Sequence, residues 1–367
     1  MKKKEVPHMA YSDILNELRA KLGESKEENE KILKAEGERF GQEGNFDGVK
    51  AVGELLLEQM SEERRAEVTR LTHLDGKLLE EYYQDIVALM DDRKMVEAKN
   101  LAEKLYKKIL MDYSETDEAI FVSLRNPLQD NLYRLLYPTE KVVNRAPFDF
   151  AQYITAYGYI LVDTGSAFDA IPVLEKAIQF NPVDPNPRFE LAEVYKLIRN
   201  SKQLLQVTRD TLKIASSPVH IARCYANVGY SLTDLGEYED AVIFYTASAM
   251  FAPNPAIPHE LHGLKDRIGH ELSVPSREKV EKTMEKYDIF YGPDEKVIAV
   301  AAQMATDYLK KGDMRNALQS LKVTYNLTRD ENIRKLILQY EPDAPVAFPE
   351  KDAKPNITQT VNNSPEE

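Results

Sequence analysis

One order of residues recurs along the middle of this chain, and it restricts the fold more than any other feature. It runs Ile154, Tyr157, Gly158, Leu161, Gly165, Ala170, Leu174, Ala177 and Pro182. The order returns at Tyr225, Val228, Gly229, Leu232, Gly236, Ala241, Tyr245, Ser248 and Pro253. It returns again at Met304, Ala305, Tyr308, Gly312, Ala317 and Leu321, with Asp330 near where the proline would stand. A weaker copy carries Leu191, Ala192 and Tyr195 at an offset of about 34 residues from Tyr157, Gly158 and Leu161. Small residues let two helices approach closely, the glycine stops the first helix, and the proline cannot continue the second. Helix pairs stacked in this way lengthen without adding separate cores. The 367 residues therefore need not form the two or three domains that length alone suggests.

From about Phe150 to Asp330 the chain resembles the tetratricopeptide repeat family, of a divergent bacterial type. The family pattern Trp-x2-Leu-Gly-x2-Tyr, then Ala-x3-Phe and Pro, is matched position by position, except that this chain has no tryptophan. Ile154, Tyr225 and Ala301 stand in its place. The resemblance implies an all-α fold: an α-solenoid of antiparallel helix pairs wound into a right-handed superhelix, with the first helix of each pair on the concave face. Carried over position by position, the family's groove falls on Gln152, Thr155 and Tyr159, on Asn186, Phe189, Glu190 and Glu193, on Arg223, Asn227 and Tyr230, and on Gln303. Tyrosine and phenylalanine supply rigid contact area there, and amides can pair with the backbone of an extended peptide. Relatives that clamp the acidic tails of chaperones use Lys, Asn and Arg at positions held here by Thr155, Tyr159, Glu190, Arg223 and Asn227. Only Arg223 fits, and Glu190 with Glu193 would repel an acidic tail, so a basic partner is expected.

Residues 1–10 read as a flexible N-terminus and 11–147 as a helical region with divergent, repeat-like pairs. Within the latter, Leu78 to Met90 and Met95 to Leu110 show helical spacing, and Gly41 to Asp47 looks like a repeat turn. Residues 62–65 and similar charge runs suggest helices with mostly solvated faces. Between Asp117 and Pro147, Pro127 and Pro138 predict short helices on an irregular path. Residues 148–340 form the array, including an irregular pair between Pro253 and Lys296 and a capping helix from Glu331 to Tyr340. Residues 341–367, with Pro342, Pro345, Pro349, Pro355 and Pro365 among acidic and amide residues, read as a disordered acidic tail.

A net charge of -13 argues against a nucleic-acid or anionic-membrane surface. The first 70 residues hold no basic cluster placed to read DNA. No export signal is visible after Met1, and no apolar run approaches the roughly 20 residues of a membrane span. The single Cys224, with no partner for an intramolecular disulfide, fits a reducing compartment, read as cytoplasm. His259, His262 and His270 invite a metal, and His262, Asp266 and His270 would share a helical face. The zinc-protease spacing is absent, so no metal or cofactor is expected. With no phosphate loop or nucleophile setting, the chain reads as a non-catalytic protein-interaction scaffold that binds a peptide or partner helix in its groove. The alternative is a regulatory peptide sensor, or an adaptor subunit of an enzyme or signalling complex.

Overall fold

A computed structural model describes residues 11–344. The flexible start expected over 1–10 and most of the tail expected over 341–367 lie outside the described residues. The chain divides into two compact units, Met1–Leu79 and Glu80–Glu367. The division falls within the stretch that the sequence groups as 11–147, so the helix pair following it belongs with the repeat array.

In the first unit, α1 (Tyr11–Ala20), α2 (Lys26–Glu43), α3 (Phe46–Gln59) and α4 (Glu62–Thr72) lead into a two-stranded antiparallel ladder of β1 (His73–Leu74) and β2 (Lys77–Leu78). Ile14, Leu18, Leu33, Phe40, Ala51, Val52 and Leu55 form its core. The turn between α2 and α3 falls where the sequence suggests one, at Gly44, and Asn45 caps α3 by accepting from the Gly48 amide at 2.9 Å. Helix α4 buries no residue, as its charge pattern indicates.

The second unit starts with α5 (Leu79–Asp91) and α6 (Met95–Tyr113), then runs through β3 (Ala119–Val122), α7 (Pro127–Leu136) and β4 (Val142–Arg145). Five helix pairs follow: α8 (Phe150–Asp163) with α9 (Ala167–Phe180), α10 (Pro185–Leu197) with α11 (Ser201–Leu212), α12 (Pro218–Asp234) with α13 (Tyr238–Phe251), α14 (Ala256–Ile268) with α15 (Arg277–Glu285), and α16 (Glu295–Lys311) with α17 (Met314–Thr328). Helix α18 (Glu331–Tyr340) closes the array by packing on α17, and its Ile337 joins Ala305, Leu321 and Tyr325 in a terminal core.

Each pair forms for the reasons written in the repeat. Gly165 and Gly236 sit at the turns with φ of 80° and 82°, a conformation that costs a side chain but not glycine. Ala170, Ala177, Ala241, Ala247, Ala305 and Ala317 are buried where helices approach closely. Gly158 marks the tightest approach: a Cβ there would lie 2.5 Å from Leu174 Cδ2 and 2.6 Å from its Cγ. Because Leu174 is itself buried and cannot swing aside, Gly158→Ala is expected to cost about 1–3 kcal/mol of overpacking. A shifted midpoint in chemical denaturation measures it, and unchanged stability would show that α8 and α9 can separate freely.

The tryptophan positions of the repeat are filled by whatever the local neighbours allow. Ile154 and Tyr225 are buried at 1% and 0% exposure. Ala301 is also fully buried; Pro127 and Leu128 of α7 stand near it beside an open pocket of about 330 Å³, lined also by Met304, Tyr308 and Val323.

The irregular segment between α6 and α8 adds the strands that a purely helical reading leaves out. Strands β3 and β4 pair in parallel, Ala119 with Val142 through Val122 with Arg145. The prolines keep α7 short, as expected. The segment is bolted to the turn between the first two repeats: Ser123 N donates to Phe180 O at 2.7 Å, and Asn181 Nδ2 donates to Ser123 O at 2.8 Å. Arg188 donates to Pro182 O at 2.6 Å and to the Tyr137 hydroxyl at 3.3 Å. Leu132 and Tyr133 enter the same core as Val183 and Ile214, and α7 also packs against α16.

Candidate binding cleft

Helix α8 buries Ile154, Tyr157, Gly158 and Leu161 and turns Gln152, Thr155 and Tyr159 the other way. Helix α10 likewise buries Leu191 and Ala192 while presenting Asn186, Glu190 and Glu193. Gln152, Thr155, Tyr159, Asn186 and Glu190 line one open cleft of about 620 Å³. Tyr83 and Met90 of α5, with Arg125, complete its wall. These three were not found from sequence, since α5 lacks the repeat signature and Arg125 lies in the irregular segment.

The wall is held rigidly. Tyr83 stacks on Tyr153 with ring centroids 4.2 Å apart, and the Tyr153 hydroxyl donates to Glu80. Asp149 and Asp184 cap α8 and α10, where the helix N-termini favour negative charge. Arg125 reaches both: it pairs with Asp149 and lies 2.7 Å from Asp184. One guanidinium from the irregular segment thus ties the ends of two successive inner helices. Thr155 spends its hydroxyl on Ala151 O at 2.6 Å and offers its methyl group to the cleft. The Asn186 side chain has no hydrogen bond among the described residues.

The remaining positions expected in the groove lie elsewhere. Phe189 is buried at 2% exposure beneath Arg223, whose guanidinium carbon stands 4.4 Å from the ring centroid. Asn227 is also buried, with its side-chain nitrogen unpartnered. Tyr230 is half-buried and has the Lys196 ammonium 5.5 Å above its ring. Gln303 is exposed on α16, where it donates to Asp307 at 2.9 Å, and it does not line the cleft. The α14–α15 pair intervenes, and α16 packs on α7.

The two glutamates expected to act together are separated by their partners. Glu193 accepts from Lys196 at 3.0 Å and from Arg223 at 3.3 Å, so its charge is met within the protein. Glu190 makes no hydrogen bond or ion pair among the described residues. Burial pushes its carboxyl above the usual range; Arg223 opposes the shift and Glu193 adds to it. The sequence argument for a basic partner therefore rests on Glu190 alone.

The histidines do not converge either. Helix α14 ends at Ile268, Gly269 adopts φ 81°, and His270 turns away to Glu239 at 3.0 Å instead of continuing the face of His262 and Asp266. Among the described residues no group of three or more His, Cys, Asp or Glu is placed to hold a metal. Cys224 is fully buried, and burial pushes its thiol up, away from the reactive thiolate. No helix among the described residues is long and apolar enough to cross a membrane.

Residues 222–255 match the family model of the tetratricopeptide repeat. They span α12 from Ala222, the Gly236 turn and α13, the stretch where the recurring order is most complete. Residues 222–255 are a tetratricopeptide repeat. The pairs α8–α9, α10–α11 and α16–α17 are helix pairs that follow the same order of residues in whole or in part, and α14–α15 is an irregular pair between them. Among solved structures, a thermophilic tetratricopeptide repeat protein of Thermus thermophilus is similar at 16% identity over 52% of this chain and 99% of its own, with a TM-score of 0.29. PilF of Pseudomonas aeruginosa is similar at 11% identity over 72% of this chain and 97% of its own, with a TM-score of 0.37. The Cut9–Hcn1 hetero-tetramer of the APC/C is similar at 14% identity over 81% of this chain and 57% of the matched chain, with a TM-score of 0.30. No curated protein matches the sequence.

Proposed function

We propose that this tetratricopeptide repeat protein is a non-catalytic interaction scaffold, and that the cleft between α5, α8 and α10 holds an extended segment of a protein partner. The observation that carries this reading is the cleft's construction. Its walls are fixed by a tyrosine stack and by the Arg125 bridge, while Tyr159, at 42% exposure, and the unpartnered Asn186 amide are left open to solvent. A rigid aromatic surface beside a free amide suits a peptide, because the ring supplies contact area at little entropic cost and the amide can pair with a backbone peptide group. Pre-organised walls reduce the ordering cost of binding.

The test is affinity capture on the full chain, comparing the wild type with Tyr159→Ala and Asn186→Ala. Loss of an aromatic anchor typically weakens binding by on the order of tenfold or more, so a true partner is expected to drop by that amount on Tyr159→Ala. Partners retained equally by both variants would place the binding surface elsewhere.

A further inference from the structure

Building on the proposed use of this cleft, we infer that the bound segment presents a lysine or arginine side chain to Glu190, in the space between Tyr159 and Asn186. Three observations converge on this. Glu190 is a half-buried carboxylate lining an open cleft, without a hydrogen bond or ion pair among the described residues. The cations nearest to it are committed to other carboxylates: Arg125 to Asp149 and Asp184, and Arg223 and Lys196 to Glu193. The same cleft exposes the Tyr159 ring, and the face of such a ring attracts a cation.

A carboxylate withdrawn from water without a partner is a cost to the folded protein, and such costs are typical of sites that await a ligand. A basic side chain supplies what the site lacks: a cation for Glu190 and an apolar stem for the Tyr159 ring. An acidic segment would add a second unpaired charge beside Glu190. A divalent cation is a poor alternative, since one carboxylate offers too few ligands and, among the described residues, no acidic or histidine cluster is placed to hold a metal. Glu193, by contrast, is neutralised by two cations and has little to offer a basic ligand.

The experiment selects a random peptide display library on the immobilised full chain at neutral pH, in parallel on wild type, Tyr159→Ala, Glu190→Gln and Glu193→Gln. Peptides that depend on the cleft are those lost on Tyr159→Ala. The expected result is that these peptides share a lysine or arginine, bind Glu190→Gln about tenfold more weakly, and are little affected by Glu193→Gln. Glu190→Gln removes a half-buried, unpaired charge and keeps the shape of the side chain, so it is expected to fold at least as well as wild type, which circular dichroism verifies. Wild-type affinity should also fall on acidification at a pH above that at which an ordinary glutamate protonates, because burial has raised this carboxyl. The charged and titratable groups around it are Arg223 on α12, Glu193 on its own helix, Arg125 in the irregular segment, and Tyr83 and Tyr159 across the cleft. Cleft-dependent peptides that lack a basic residue, or that bind Glu190→Gln equally well, would overturn the inference while leaving the cleft as the binding site. If no enriched peptide depends on Tyr159, the cleft itself is not the site and both readings fail.

Discussion

Tyr225→Ala is expected to destabilise the repeat array by about 3–5 kcal/mol, the largest effect of any substitution considered, because it empties the centre of the core. The Tyr225 side chain is fully buried. Its ring meets Phe244 edge-on at 6.2 Å and Phe251 at 5.6 Å. Its hydroxyl donates to Phe290 O at 2.8 Å and accepts from Gly292 N at 2.7 Å. The residue thus does two jobs at a position where the family usually has tryptophan: it fills α12's contact with α13 and holds the link before α16 onto that core. Tyr225→Phe separates them. It keeps the ring and leaves two backbone groups unsatisfied, so its expected cost is about 1–3 kcal/mol. Chemical denaturation followed by helical circular dichroism measures both. Equal costs for the two variants would mean that the hydrogen bonds, not the packing, dominate.

Arg125→Met should be the next most damaging change, at about 2–4 kcal/mol. Removing one partner of a buried pair leaves the other charge stranded, and Asp184 has only 1% exposure. The figure lies below that for a fully buried pair because the Arg125 side chain is itself 31% exposed and Asp149 is 23% exposed. Arg125→Lys should recover little, since one ammonium cannot span two carboxylates as a forked guanidinium does. Denaturation midpoints for the two variants test this, and full rescue by lysine would show that only net charge matters. Because Arg125 also lines the cleft, both variants should loosen peptide binding in parallel.

The parts of this structure that were legible in the sequence are those that repeat. Gly165, Gly236 and Gly312 stop helices where a small-large-small order says they must, and Gly158 and Ala177 lie at close approaches. Local signals also located the α2–α3 turn, the α5–α6 pair and the short α7. What escaped depends on contacts between distant segments. The Glu193–Lys196 pair is three residues apart and readable on one helix, but its second partner Arg223 comes from the next repeat. Phe189 is buried with the same arginine lying across its ring and His220 beside it, both from the next repeat. Tyr83, Met90 and Arg125 carry no motif, and only the packing of α5 and the irregular segment brings them to the cleft. Gln303 would reach the groove only if each pair stacked on the one before it, whereas α16 packs on α7.

That contact between α7 and α16 changes what kind of object the array is. In an open solenoid each repeat touches only its neighbours, so the ends can fray while the middle stays folded, and unfolding proceeds piecemeal. Here α7, which precedes the first full repeat, accepts through its Gln129 from Asn181 in the turn that follows that repeat, and it also packs on α16 of the last one, joining residues more than a hundred positions apart. Detaching the final pair therefore exposes part of the core that α7 shares with Val183 and Ile214. The clasp couples the two ends energetically, so that the repeats should melt together as one cooperative body, at the cost of a slower, more non-local search on folding.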